Sequence, residues 1–262
     1  MAAESTQAPL TTAQPKVVLH WLEKSRAQRM VWLLEECKIP YEIKTYKRVN
    51  RLAPPELKQI FPLGKSPIIT IQNPGQTEPL PLAESAAVCE YFVDHFANHL
   101  APTRWKAGQE GKVCGETESW MRYRFYMHYS EGSFLPALLL RYLVNELAGP
   151  QVPFFIRPIT GLVVGKMNEL FLDGNVKTNL DFIEEQLGSI PDGGQFFCGT
   201  QLTAADMMMS FPMISLTSGR QPFDAKKYPN IKAYADRIQQ LESYKASIKK
   251  VEELTGEKYV VV

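Results

Sequence analysis

The first clear pattern along the chain is a continuous apolar, β-prone run, Val17-Val18-Leu19-His20-Trp21-Leu22, which predicts a strand covered on both faces. After a polar break at Glu23-Lys24-Ser25, Met30, Leu33, Leu34 and Cys37 recur at i, i+3, i+4 and i+7. That spacing predicts a helix from about Arg26 to Lys38, ending ahead of Pro40. Tyr41 to Tyr46 alternates Tyr, Ile and Thr with Glu and Lys and reads as a second strand. Pro54-Pro55-Glu56 opens a short helix through Ile60, since proline suits a first helical turn. Pro67 then precedes Ile68-Ile69-Thr70-Ile71, a strand, and another strand follows near Leu80. From Glu84 an amphipathic helix carries Val88, Tyr91, Phe92, His95 and Phe96 at helical spacing. The expected order is therefore β-α-β-α-β-β-α, an α/β domain over residues 16–98.

His99 to Trp105, with Pro102, breaks the pattern and is expected to be a linker, residues 99–105. Everything after it, residues 106–262, reads as helical: Val176, Leu180, Ile183 and Leu187 make one stripe, Ile231, Tyr234, Ile238 and Leu241 another. Three prolines between Gly149 and Pro158 predict an ordered insertion carrying apolar side chains. Residues 1–15, rich in Ala, Thr, Gln and Pro, predict a loose polar tail with no apolar leader core. Thr203 and Asp206 read as a capping box at a helix start, with Leu202 and Met207 as a staple, a structural motif.

Composition narrows the functional classes. At 262 residues and 45% hydrophobic content the chain can bury a substantial core. Its 29 basic and 28 acidic side chains give a formal charge of +1, so no overall field favours nucleic acid or an anionic membrane. No apolar run approaches the roughly 20 residues of a membrane span. A cytoplasmic protein is expected. Cys37, Cys89, Cys114 and Cys198 are scattered, with no C-x-x-C pair and no histidine at ligand spacing, which argues against a zinc site, a disulfide framework and thioredoxin-type redox chemistry. No metal is expected.

The candidate chemistry lies between Phe61 and Ser85. X-Pro is the one peptide whose cis form costs little, so Ser66-Pro67 can turn sharply and leave the Ser66 backbone as a peptide-binding edge. Glu84-Ser85 opens a helix, whose free N–H groups attract a carboxylate. An edge for extended peptide beside a carboxylate site describes a small peptide such as glutathione. Phe61-Pro62-Leu63-Gly64-Lys65-Ser66-Pro67 followed by Glu84-Ser85 resembles the glutathione-binding half of the thioredoxin-fold, cytosolic-type glutathione transferases. The family pattern there is roughly Asn-Pro-x-Gly-Lys-Val-Pro, a hairpin, then Glu-Ser; Phe61 and Ser66 depart from it. With Trp21 to Arg29 and Leu202 to Asp206, the resemblance spans nearly the whole chain and is strongest to fungal members.

The resemblance implies a thioredoxin-like N-terminal domain, an all-helical C-terminal domain, and glutathione as co-substrate. It implies Lys65 pairing with the glycine carboxylate, the Ser66 backbone with the cysteinyl unit, and Ser85 and Glu84 holding the γ-glutamyl end. Arg51 is near the loop that approaches the glycine end, though Leu52 has the matching position. Counting back from Arg29, Ser25 stands where serine-type members carry the hydroxyl that stabilises the thiolate. Read on its own, Ser25-Arg26-Ala27-Gln28 is equally a capping box, Lys65 a solvated loop lysine, and Glu84-Ser85 a helix start. His20, Trp21 and Glu23 remain as substitutes for Ser25. The inner face of the first long helix after the linker lines the electrophile pocket in relatives, and Tyr126 with Ser130 are the expected lining residues. Family members are usually homodimers. The expected activity is conjugation of glutathione to hydrophobic electrophiles in detoxification, with glutathione-dependent peroxidase activity as a possible second; the alternative is a non-catalytic regulatory or interaction module of the same fold.

Overall fold

The computed structural model describes residues 14–219 and 222–259. The expected polar tail therefore lies, up to residue 13, outside the described residues. The N-terminal part runs β1 (Lys16–Leu22), α1 (Ala27–Cys37), β2 (Glu42–Tyr46), α2 (Leu57–Ile60), β3 (Ile68–Gln72), β4 (Leu80–Ala83) and α3 (Ser85–Phe96). Its four strands make one sheet in the order β2-β1-β3-β4. β1 pairs parallel with β2, Val18 opposite Glu42, and antiparallel with β3, Leu19 opposite Ile69. β3 pairs antiparallel with β4, where Thr70 faces Pro81. Proline fits that place because β4 is an edge strand and needs no outward ladder bond. Val17, Leu19, Trp21 and Leu22 are buried, as are Ile68, Ile69 and Ile71, so the two central strands are the covered ones.

The rest is helical: α4 (Glu118–Tyr129), α5 (Leu135–Glu146), α6 (Arg157–Met167), α7 (Asp173–Gly188), α8 (Ala204–Thr217), α9 (Pro229–Gln240) and α10 (Glu242–Thr255). α4 passes through a π turn, Ser130–Phe134, directly into α5, and α6 passes through another, Asn168–Leu172, into α7. Each π turn is one residue wider than an α turn and re-aims the helix face beyond it. α8 is buried along almost its whole length and is the axis of this part. The proline-rich insertion is ordered and leads into α6, with Phe154 and Phe155 exposed.

α1 joins the two parts. Ala27 through Leu34 are all buried, because the helix has the sheet on one side and α8 and α10 on the other. Trp32 Nε1 donates to Ser243 Oγ at 2.9 Å, its ring edge-on to Tyr244. Gln28 Nε2 donates to Ser247 Oγ at 3.1 Å. Arg29, 1% exposed, pairs with Glu131 of the first π turn at 2.8 Å and lies over the Phe211 ring. A charge taken that far out of water is tolerated only with such a partner. The start of α1 is thereby fixed against the helical part.

Candidate active site

β1 ends where a short loop, Glu23 to Arg26, hands over to α1. Arg48 shapes that loop: its backbone N–H donates to Glu23 Oε1 at 2.7 Å, and its guanidinium donates to the carbonyls of Glu23, Lys24 and Arg51. Lys24 sits at a φ of 49°, in the left-handed region. Ser25 follows. Its Oγ donates to the Leu22 carbonyl at 2.7 Å, accepts from the Ala27 N–H at 3.2 Å, and lies 3.2 Å from Ser66 Oγ. With its single proton on Leu22, Ser25 is the acceptor of the Ser66 hydroxyl. The capping box read at Ser25 does not form. Gln28 is turned to Ser247, and the residue ahead of the helix is Arg26, which makes no side-chain cap.

Across from this loop the Ser66-Pro67 bond is cis. Gly64 precedes it at a φ of 58°, and a Cβ there would meet Lys58 Cγ at 2.5 Å, so only glycine fits. Glu84, also left-handed at a φ of 69°, leads into α3 with Ser85, 4% exposed, at its start.

Two cavities meet at these residues. A narrow slot of about 60 Å³ is walled by Phe61, Pro67, Glu84, Ser85 and, from the helical part, Glu131. An open cleft of about 460 Å³ runs along Ser25, Arg48 and Leu52 on one side and Leu135, Leu138, Leu139, Tyr142 and Phe211 on the other. Arg26, Lys65 and Ser66 line both and form the seam between them. Lys65 is exposed and, among the described residues, has no hydrogen bond or ion pair, whereas Arg26 is held by Glu131 at 3.3 Å.

Of the residues singled out in the sequence, Ser25, Lys65 and Ser66 meet at the cleft, and Glu84 and Ser85 line the adjoining slot. Three do not join them. Tyr126 is buried with its ring 4.4 Å from that of Phe197, and Ser130 is fully buried with Oγ donating to the Met208 carbonyl at 2.6 Å. Both pack the core. The apolar wall comes from the same long helical run, but beyond the π turn. Leu135, Leu138, Leu139 and Tyr142 stand there at i, i+3, i+4 and i+7, a signal present in the sequence that the reading above did not use. Arg51 is exposed and contributes a carbonyl to Arg48, which lines the cleft together with Arg26.

Two of the substitutes for Ser25, His20 and Glu23, are engaged elsewhere, and the third, Trp21, is enclosed in the core. Both ring nitrogens of His20 are bonded, to Tyr46 Oη at 3.0 Å and Thr70 Oγ1 at 3.2 Å, and burial with the charge of Lys44 lowers its pKa to about 4. Trp21 is buried, and Glu23 holds Arg48. Cys37 and Cys89 have pKa values pushed up to about 12 by burial, so both stay thiols. Among the described residues no cluster of three or more His, Cys, Asp or Glu side chains is placed to hold a metal ion. Among them, no helix is long and apolar enough to cross a membrane.

Known proteins resemble this chain in sequence and in fold. The glutathione S-transferase N-terminal domain pattern matches residues 15–94, and the C-terminal domain pattern residues 164–250. Glutathione S-transferase 1 of Saccharomyces cerevisiae is 32% identical over 92% of this chain and 97% of its own. The chain belongs to the glutathione S-transferase family. Glutathione S-transferase 3 of Schizosaccharomyces pombe is 34% identical over 91% of the transferase described here and 89% of its own length. In fold, the transferase matches a glutathione transferase homologue from Lodderomyces elongisporus, solved with two glutathione molecules per subunit. The TM-score is 0.65 at 15% identity, over 90% of this chain and 98% of that one. The expected relationship to fungal members is thus borne out, as is the two-part fold.

Proposed function

We propose that glutathione spans the slot and the cleft of this transferase, and that its thiolate attacks apolar electrophiles held against α5. The γ-glutamyl carboxylate sits at the start of α3 on Ser85, with Glu84 toward the ammonium group; the cysteinyl unit pairs with the Ser66 backbone; Lys65 takes the glycine carboxylate. The observation that carries this reading is the seam, where an anion-ready helix start and an apolar wall meet beside Ser25.

The chemistry requires ionisation. A thiol with a pKa near 8.5 is only about 3% thiolate at pH 7. Lowering that pKa by about two units takes roughly 2.7 kcal/mol of preference for the anion. One hydrogen bond to a charged group supplies about 1.5 to 3 kcal/mol, and a helix N-terminus about 0.3 to 1 kcal/mol. A Ser25 hydroxyl turned from the Leu22 carbonyl to the sulfur, at the head of α1, supplies part of this preference. Sulfur then bonds to the electrophilic carbon as the leaving group departs with its electron pair. The same thiolate attacking a peroxide oxygen gives sulfenylated glutathione and an alcohol, and a second glutathione completes a peroxidase cycle.

The four free cysteines, three of them buried, suit a reducing cytoplasm, where glutathione is supplied. We read the transferase as a homodimer acting in detoxification. The test is conjugation of glutathione to an aryl halide across pH, for wild type and Ser25→Ala. The variant is expected to bind glutathione normally, to lose about threefold to tenfold in kcat near neutrality, and to recover at high pH. An unchanged profile makes Ser25 a structural residue. A wild type that binds glutathione and turns over neither aryl halides nor hydroperoxides leaves the non-catalytic module as the reading.

A further inference from the structure

We propose that the Arg26 guanidinium is the principal group holding glutathione's sulfur as thiolate, and that Glu131 of the helical part fixes it in position. The inference rests on the binding mode above and assigns the charge that the mode requires. Slot and cleft share only three lining residues, so a tripeptide with its γ-glutamyl end in the slot and its sulfur facing the α5 wall passes its cysteinyl unit over Arg26, Lys65 and Ser66. Lys65 is committed to the glycine carboxylate and Ser66 to the peptide backbone. Arg26 alone is left for the sulfur.

The neighbouring hydroxyl is poorly free to serve. Ser25 Oγ already makes one donated and two accepted hydrogen bonds, the full capacity of a hydroxyl in this setting, and a bond to sulfur costs it the 2.7 Å bond to Leu22. Arg26 needs no such exchange. Its side chain is 39% exposed and anchored by Nη1 on Glu131 Oε2 at 3.3 Å, and the residue lines both slot and cleft. Glu131 is itself anchored, because its other oxygen pairs at 2.8 Å with the fully buried Arg29. The charged groups around Arg26 are Arg29 from α1, Glu131 from the π turn, Glu84 from the start of α3, Lys65 at the seam, Lys24 in its own loop, and Arg48, whose guanidinium is taken up by the carbonyls of Glu23, Lys24 and Arg51. Arg26 and Arg29 against Glu131 leave one positive charge beside the place where the sulfur arrives. Glu84 is engaged by the glutathione ammonium. Formation of the thiolate releases the S–H proton to solvent, and Arg26 keeps its own.

The experiment is a spectroscopic titration of the thiol of glutathione bound to the transferase, without electrophile, for wild type, Arg26→Met, Arg26→Lys and Ser25→Ala. Saturation is verified by calorimetry and folding by thermal melting. Arg26→Met is expected to raise the pKa of the bound thiol by about one to two units, a tenfold to hundredfold loss of thiolate at a given pH, with Arg26→Lys restoring most of it. The shift in Ser25→Ala is expected to be smaller. A folded, saturated Arg26→Met that titrates like wild type overturns the inference and leaves the binding mode standing. Wild-type bound glutathione that titrates like the free thiol overturns the preceding reading as well.

Discussion

His20 stands on β1 between the buried Leu19 and Trp21, with Tyr46 and Thr70 on its two nitrogens, and its pKa of about 4 lies below the 6.5 of an exposed histidine. The folded state therefore prefers the neutral ring. Its contribution to stability is full above pH 6.5 and is lost as the pH falls toward 4, where the ring charges inside the sheet. Urea unfolding of wild type and His20→Gln between pH 7 and 4 is expected to show a steeper acid loss in the wild type, by an amount on the order of 3 kcal/mol. Equal slopes would mean that the ring charges without cost. Single residues were the least legible part of the sequence. Ser66, Glu84 and Ser85 were singled out because a proline turn and a helix start are local features with local signatures, and Lys65 because the family resemblance marks it. Arg26 and Glu131 were not, since their pairing joins positions 105 residues apart and nothing near either marks the other.

At the scale of elements, α8 shows what local signals achieve. Thr203 and Asp206 form the expected capping box, and Asp206 also accepts from the Phe197 N–H and from Tyr234 Oη, both at 2.9 Å. Burial pushes its pKa up, while these donors pull it back. Asp206→Ala strands four donors in the core, and a loss of about 3 to 5 kcal/mol is expected, lowering Tm by on the order of 10 °C in a melting experiment. A change under 1 kcal/mol would show that water satisfies the site. The α4–α5 run shows where such signals fail. Tyr126 and Ser130 were expected from the family resemblance, which puts the pocket on the first long helix after the linker, but the Ser130–Phe134 π turn re-aims the helix, so the residues facing the cleft begin at Leu135. Periodicity alone does not report a wider turn, because the hydrogen bonds that create it leave the apolar spacing on either side intact.

Across the whole molecule, α5 and α6 pack together through Val144 and Val164 yet leave Leu140, Leu143, Leu147, Phe154, Phe155, Ile159, Leu162 and Val163 exposed. Exposed apolar side chains gathered in this way mark an interaction surface rather than a scatter of single residues. Of the charges nearby, Arg141 pairs with Asp173 and Lys166 with Glu169, while Arg157 bonds backbone carbonyls and Glu146 bonds Gln151, and the signs balance, so the ridge suits a neutral, self-complementary partner better than an anionic one. A second copy of the chain is the occupant we assign. Sedimentation of Ile159→Glu with Leu162→Glu is expected to show a monomer where wild type is a dimer; an unchanged mass would place the contact elsewhere.

The two-part architecture was readable because strand and helix periods differ. How the parts close on each other was not, for it depends on α1 being covered on both sides, by the sheet and by α8 and α10. That closure brings Glu131 to the slot and the α5 wall to Ser25, and the function we assign depends on it. The structure of the transferase crystallised with glutathione tests this most directly. The γ-glutamyl carboxylate is predicted at Ser85 and the sulfur at the seam, within hydrogen-bonding reach of Arg26 or Ser25 and facing Leu138, Leu139 and Tyr142. A glutathione molecule bound away from Ser85, or with its sulfur turned from that wall, would contradict the account.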